Sequence, residues 1–123
     1  MKKNIAIFGA GYVGYSMGLL LAAENTVIFY EVSDKKIEDI NSGTSIFSDE
    51  IYVKYLTENN LDASAKHIDE INLEAFDYAV ISLPTNFDEN KNTFDTSIIE
   101  NVIQKITKSN PHIPVIIKST VPL

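Results

Sequence analysis

Cysteine is absent from this 123-residue chain, and so is arginine: all ten basic residues are lysine. Without cysteine there is no disulfide, no thiolate nucleophile and no sulfur metal site; its absence fits a cytoplasmic location. Without arginine, no planar guanidinium can clamp a phosphate through two parallel hydrogen bonds. Positive charge is scarce altogether, ten basic residues against 17 acidic ones, for a formal net charge of -7 and a pI near 4.7. Such a surface is repelled by nucleic acid and by anionic membranes, and neither is expected as a partner.

Long apolar runs are also missing. Residues Asn4 to Ala23 carry no charge, follow Lys2 and Lys3, and include Gly14 and Gly18 in G-x-x-x-G spacing. That pattern is shared with packed membrane helices and, given the basic start, with secretory signals. Four glycines, two tyrosines, Ser16 and Asn4 break it up, leaving Leu19 to Ala23 as the longest aliphatic stretch. A spanning helix needs about 20 predominantly apolar residues. No repeat, low-complexity tract or linker divides the chain, and 45% hydrophobic content suits one domain with a single core.

What is present begins with IAIFGAGYVG, Ile5 to Gly14. A short apolar run is followed by Gly9, Gly11 and Gly14 in G-x-G-x-x-G spacing, then by an uncharged helical segment. Strand, tight turn and helix in that order form a dinucleotide-binding fingerprint: Gly9 turns the chain, Gly11 admits a pyrophosphate, and Gly14 lets the helix lie on the sheet. The unpaired N–H groups of the helix's first turn then face the phosphates. Thr26 to Glu31 (TVIFYE) reads as a second buried strand ending on an acid, 22 residues after Gly9. A carboxylate there hydrogen-bonds the adenosine ribose and repels a 2′-phosphate, so the expected cofactor is NAD, not NADP. The competing reading of Glu31 is a solvated acid at a strand end.

Ser33 is a candidate N-cap for a helix through Lys36, Ile37 and Ile40, stopped by Gly43; Lys36 could reach the cofactor or water. A further helix after Ser48 would turn Ile51, Tyr55 and Leu56 inward. Leu61 to Ile68 is a weak edge strand and Leu73 to Phe76 a brief helical turn. Asp77 to Leu83 reads as a buried strand ended by Pro84, and NFDENKNTFD as a polar loop. Ser97 and Glu100 suggest a capping box, opening a helix with Ile98, Ile99, Val102, Ile103 and Ile106 inward and ending at Asn110 and Pro111. Ile113 to Ser119 is a final buried strand leading to Thr120.

In a Rossmann-type doubly wound α/β sheet of order 3-2-1-4-5, the glycine turn, Glu31, Thr85 and Thr120 all fall on one rim, where ligands bind. His67 and His112 have no evident ligand partners, so no metal is expected. Asp88 and Glu89 read as a solvated loop.

The motifs GAGYVG, PTNFD, FDTS and KSTVP, in this order, make the chain resemble the N-terminal NAD-binding domain of the UDP-glucose/GDP-mannose dehydrogenase family. The FDTS loop is most similar to the UDP-glucose 6-dehydrogenase branch. The resemblance implies oxidation of a nucleotide sugar's C6 hydroxyl to a carboxylate with two NAD. It puts the pyrophosphate on the backbone from Gly11 through Tyr12 and Val13 to Gly14, and the adenosine ribose near Glu31 and Lys36. It puts the nicotinamide half near Thr85 and Thr120, Thr120 matching a threonine that helps position the catalytic water and stabilise the oxyanion. Two residues depart from the family pattern: Glu31 stands where aspartate is common, and Leu83 where a threonine often precedes the proline.

The family's cysteine nucleophile, a lysine and most nucleotide-sugar contacts lie in a later domain that this sequence does not contain. The chain is therefore expected to be a piece of a longer enzyme, lacking the sixth strand and inactive alone. The UDP-sugar would be a partner only of the full-length enzyme, and copies of the chain would pair through the strand at 113–119. Alternatives are a stand-alone NAD-binding module, a relative acting on GDP-mannose or UDP-N-acetyl sugars, or another Rossmann dehydrogenase acting on a hydroxy acid or acyl-CoA.

Overall fold

The computed structural model describes residues 2–83, 86–88, 93–95 and 97–118. Strands β1 (Asn4–Phe8), β2 (Thr26–Glu31), β3 (Ala63–His67), β4 (Tyr78–Ile81) and β7 (Val115–Ile117) pair in parallel in the order β3-β2-β1-β4-β7. This is the expected 3-2-1-4-5 order, with β7 as the fifth strand of its sheet. Between them come helices α1 (Tyr12–Leu21), α2 (Asp34–Ser42), α3 (Glu50–Glu58) and α4 (Ser97–Ser109).

Alternation along the strands assigns side chains to the two faces. Ile5, Ile7, Val27, Phe29 and Val80 meet Tyr15 and Leu19 of α1 and Ile40 of α2, with Tyr52, Tyr55 and Leu56 of α3 packed behind. Ala6, Phe8, Tyr30, Ala79 and Ile81 meet Leu73 and the Ile99, Val102 and Ile106 face of α4. Because both faces are covered, β1, β2 and β4 read as continuous apolar runs. Gly18 belongs to this packing: a Cβ there would lie 2.2 Å from Phe29 Cζ and 2.9 Å from Ile7 Cδ1. The G-x-x-x-G spacing thus serves helix-on-sheet contact, and no described helix is long and apolar enough to cross a membrane.

Ser33 caps α2, its Oγ accepting from Lys36 N–H at 3.4 Å, and Gly43 closes the helix at φ 78°. Several expectations need correction. In α3 it is Tyr52, not Ile51, that turns inward with Tyr55 and Leu56; Ile51 is 74% exposed, because an apolar face one residue wider than the buried stripe leaves its edge in water. Ile98 is likewise exposed at the edge of α4's stripe, while Ile103 is partly buried. Residues 73–76 make a hydrogen-bonded turn, Phe76 N–H donating to Leu73 O at 3.0 Å, and a 3-10 turn lies just before them at Ile68–Glu70. The final strand is shorter than 113–119 and lies at the sheet's edge with Val115, Ile116 and Ile117 about half exposed, not buried. The stretch read as a polar loop contains two short antiparallel strands, β5 (Asn86–Asp88) and β6 (Thr93–Asp95), with Phe87 opposite Phe94. Three-residue strands carry too little alternation to be seen in sequence.

Candidate functional site

The site lies where the carboxyl ends of the parallel strands meet. Three hydrogen bonds join those ends: Gly9 N–H to Tyr30 O at 3.0 Å, Ser82 N–H to Phe8 O at 2.8 Å, and Lys118 N–H to Ile81 O at 2.8 Å. The chain leaves β1 through Gly9 at φ 98°, where a Cβ would sit 2.6 Å from the Ser82 carbonyl oxygen. Only glycine meets both demands.

Gly11 is the N-cap of α1, in extended conformation at φ -81° and ψ -171°, with no side chain capping the helix. The Tyr15 N–H donates to Gly11 O at 2.9 Å, so the N–H groups of Tyr12, Val13 and Gly14 precede the helical ladder. The first turn carries no acid, and a Cβ at Gly11 would meet nothing within 4 Å. Free donors, the positive end of a helix dipole and open space together suit a phosphate. At Gly14 a Cβ would lie 2.4 Å from Gly9 O and 3.0 Å from Ser82 Cβ, which is the close helix-to-strand packing expected of the third glycine. The Tyr12 and Val13 side chains are exposed, and the Tyr12 ring stacks on Phe47 at 4.0 Å with planes 6° apart.

Glu31, at the end of β2, is 8% exposed. It is not a solvated acid: its Oε2 accepts from Ala10 N–H at 2.8 Å, and its Oε1 from Val32 N–H at 3.0 Å and Ser33 N–H at 3.3 Å. Lys36, in the first turn of α2, donates from Nζ to Ala10 O at 3.2 Å. Glycine turn, acid and lysine thus converge on one corner. Thr85 and Thr120, as well as Asp88's side chain and Glu89, lie outside the described residues. Ser82 is the residue that sequence reasoning passed over. It sits one position beyond β4 between the Gly9 turn and α1, and the signal for it was its place just past a strand at the point where strand order reverses.

His67 Nδ1 accepts from Asp69 N–H at 3.1 Å and caps the 3-10 turn, a structural role, and His112 is exposed. Among the described residues no three His, Asp or Glu gather as metal ligands.

Residues 3–123 match the sequence model of the UDP-glucose/GDP-mannose dehydrogenase family, NAD binding domain. The chain belongs to this family. As its NAD-binding domain, the chain has a corner whose features suit that cofactor: bare N–H groups for the pyrophosphate, open space over Gly11, and a buried acid beside them. It is 40% identical over 119 residues to a UDP-glucose 6-dehydrogenase of Streptococcus pneumoniae, covering 97% of this chain and 30% of that protein. It is 42% identical over 124 residues to one of Campylobacter jejuni, covering 98% and 31%. The chain therefore spans about a third of the length of these relatives. Among solved structures, a ternary complex of GDP-mannose dehydrogenase from Pseudomonas aeruginosa superposes with a TM-score of 0.79 at 28% identity, over 95% of this chain and 28% of that one.

Proposed function

We propose that the chain is the cofactor-binding part of a UDP-glucose 6-dehydrogenase and that by itself it binds NAD without turnover. Identity of 40–42% to two UDP-glucose 6-dehydrogenases along nearly the whole chain supports the UDP-glucose branch. In the parent enzyme the C6 hydroxyl of UDP-glucose would be oxidised to a carboxylate, C6 losing two hydrides to two NAD as one water is taken up and three protons are released. Bound NAD supplies the hydride acceptor. The N–H groups from Gly11 to Gly14 would hold the pyrophosphate and Glu31 and Lys36 the adenosine ribose. Thr85 and Thr120 would serve the nicotinamide half, Thr120 orienting the water. With no cysteine in the chain, the thiohemiacetal and thioester of the family mechanism have no sulfur on which to form. The same absence supports a cytoplasmic setting.

The observation that carries the reading is the uncapped, acid-free start of α1 opening onto clear space beside a buried carboxylate. Calorimetric titration with NAD and NADP, with Glu31→Arg alongside, tests it. The expected result is binding of NAD, binding of NADP at least about tenfold weaker, a difference of about 1.4 kcal/mol, and loss of the preference in the variant. Equal affinity for the two nucleotides in the unaltered chain would overturn the role of Glu31, and binding of neither would overturn the module.

A further inference from the structure

We infer that Glu31 and Lys36 act on the pyrophosphate subsite through Ala10, as a two-sided clamp that sets the glycine turn before any ligand arrives. This rests on the NAD-site reading and adds a second role to residues whose expected partner is the ribose.

The turn from Gly9 to Gly11 has two glycines around one alanine, the composition with the most backbone freedom to lose on folding. Ala10, 1% exposed, is held on both sides by opposite charges. Its N–H donates to Glu31 Oε2 at 2.8 Å, and its C=O accepts from Lys36 Nζ at 3.2 Å. Hydrogen bonds to ionised groups are roughly twice as strong as neutral ones. The clamp is anchored in turn. Glu31 Oε1 is fixed by the Val32 and Ser33 N–H groups, and the Lys36 backbone N–H donates to Ser33 Oγ. The two peptide planes that meet at Ala10 are thereby fixed, and with them the direction in which Gly11 launches α1 and its first-turn N–H groups.

The donor count leaves room for the ligand. A carboxylate offers about four lone-pair sites, and an ammonium three donors. Three of the former and one of the latter are engaged by backbone. Glu31 and Lys36 can therefore hold ribose hydroxyls and the turn together.

The test separates action through the ribose from action through the turn. ADP and 2′,3′-dideoxy-ADP, which keeps the pyrophosphate and lacks the diol, are titrated calorimetrically into the unaltered chain, Lys36→Met and Lys36→Arg. The clamp predicts that Lys36→Met weakens both ligands by about tenfold or more, the order expected for one charged hydrogen bond, and that Lys36→Arg restores most of the loss. Contact with the ribose alone predicts a loss for ADP and none for dideoxy-ADP, which would overturn the clamp.

Amide hydrogen exchange without ligand gives a second readout on Glu31→Gln and Lys36→Met. Faster exchange from Ala10 to Gly14, with the β1 and β2 amides unchanged, supports the clamp; unchanged exchange at Ala10 overturns it. If the variants speed exchange while the unaltered chain binds neither NAD nor ADP, the clamp on the turn stands and the NAD-site reading falls.

Discussion

A Cβ added to Gly11 meets open space, whereas one added to Gly18 falls inside the Phe29 ring's contact radius, and the two glycines should therefore fail in different ways. Gly11→Ala has an ordinary φ of -81° and no neighbour to strike, so its thermal midpoint should stay within a few degrees of the unaltered chain. Its methyl occupies the approach to the first-turn N–H groups, and NAD binding measured by calorimetry should be lost. Gly18→Ala overpacks a core in which Phe29 and Ile7 are fully buried and should cost about 1–3 kcal/mol in denaturant unfolding. NAD affinity should persist in the folded fraction. Gly9, Gly14 and Glu31 were legible as single letters because their spacing repeats a known turn. Ser82 carried only the weak signal of its place at a strand end, because what singles it out is its proximity to Gly14 from 68 residues away.

The caps and edges set the behaviour of whole elements. Ser33 accepts from the first turn of α2, and the same loop orders Lys36 and the Glu31 carboxylate. Ser33→Ala should cost about 1 kcal/mol in equilibrium unfolding. At the other side of the sheet, β7 pairs only with β4 among the described residues and leaves Val115, Ile116 and Ile117 at 37–45% exposure. An apolar outer strand is a template for another strand. We propose that copies of this chain pair through β7: sedimentation velocity should show a dimer that grows with concentration, and Ile116→Lys should keep the chain monomeric. A monomer at high concentration in the unaltered chain would count against it. The long apolar strands and the period of α4 were readable in sequence. The inward turn of Tyr52 in place of Ile51 was not, since two adjacent apolar residues fit the same period equally well.

For the molecule as a whole, Asp62, just before β3, and the buried Tyr15 and Tyr30 each add a pH-dependent contribution to stability. Asp62 is held below its ordinary value of 3.8, first by the hydrogen bond from Lys2, at 2.6 Å, and then by that from Thr26, at 2.7 Å. A depressed acid stabilises the fold above its ordinary range and loses that contribution as pH falls through the folded value. Half-exposed as it is, the pair contributes little, and Asp62→Asn should lower the neutral plateau of a stability-against-pH curve slightly and flatten its acid limb by the same amount. Tyr15 and Tyr30, both 1% exposed, are raised above 10.0, chiefly because burial disfavours the phenolate. In the unfolded chain they ionise from about pH 10, whereas in the fold they stay protonated, so stability is full below that pH and declines above it. Denaturant midpoints from neutral to strongly alkaline pH should show that decline, and Tyr30→Phe should reduce it.

The amino-acid order alone determined the architecture and the corner whose features suit the cofactor. Alternating apolar strands and a 3.6-residue helix period are local patterns, and a parallel sheet with right-handed crossovers leaves few ways to arrange them. The glycine fingerprint works the same way, because each glycine answers a constraint within a few residues of itself. Only the tertiary structure decided that Glu31 is a buried tie with three backbone donors, that Lys36 closes on the far side of Ala10, that Gly18 is there for Phe29, and that β5 pairs with β6. Those facts depend on distances between residues far apart in the chain, which become defined only when β1, β2 and β4 lie side by side.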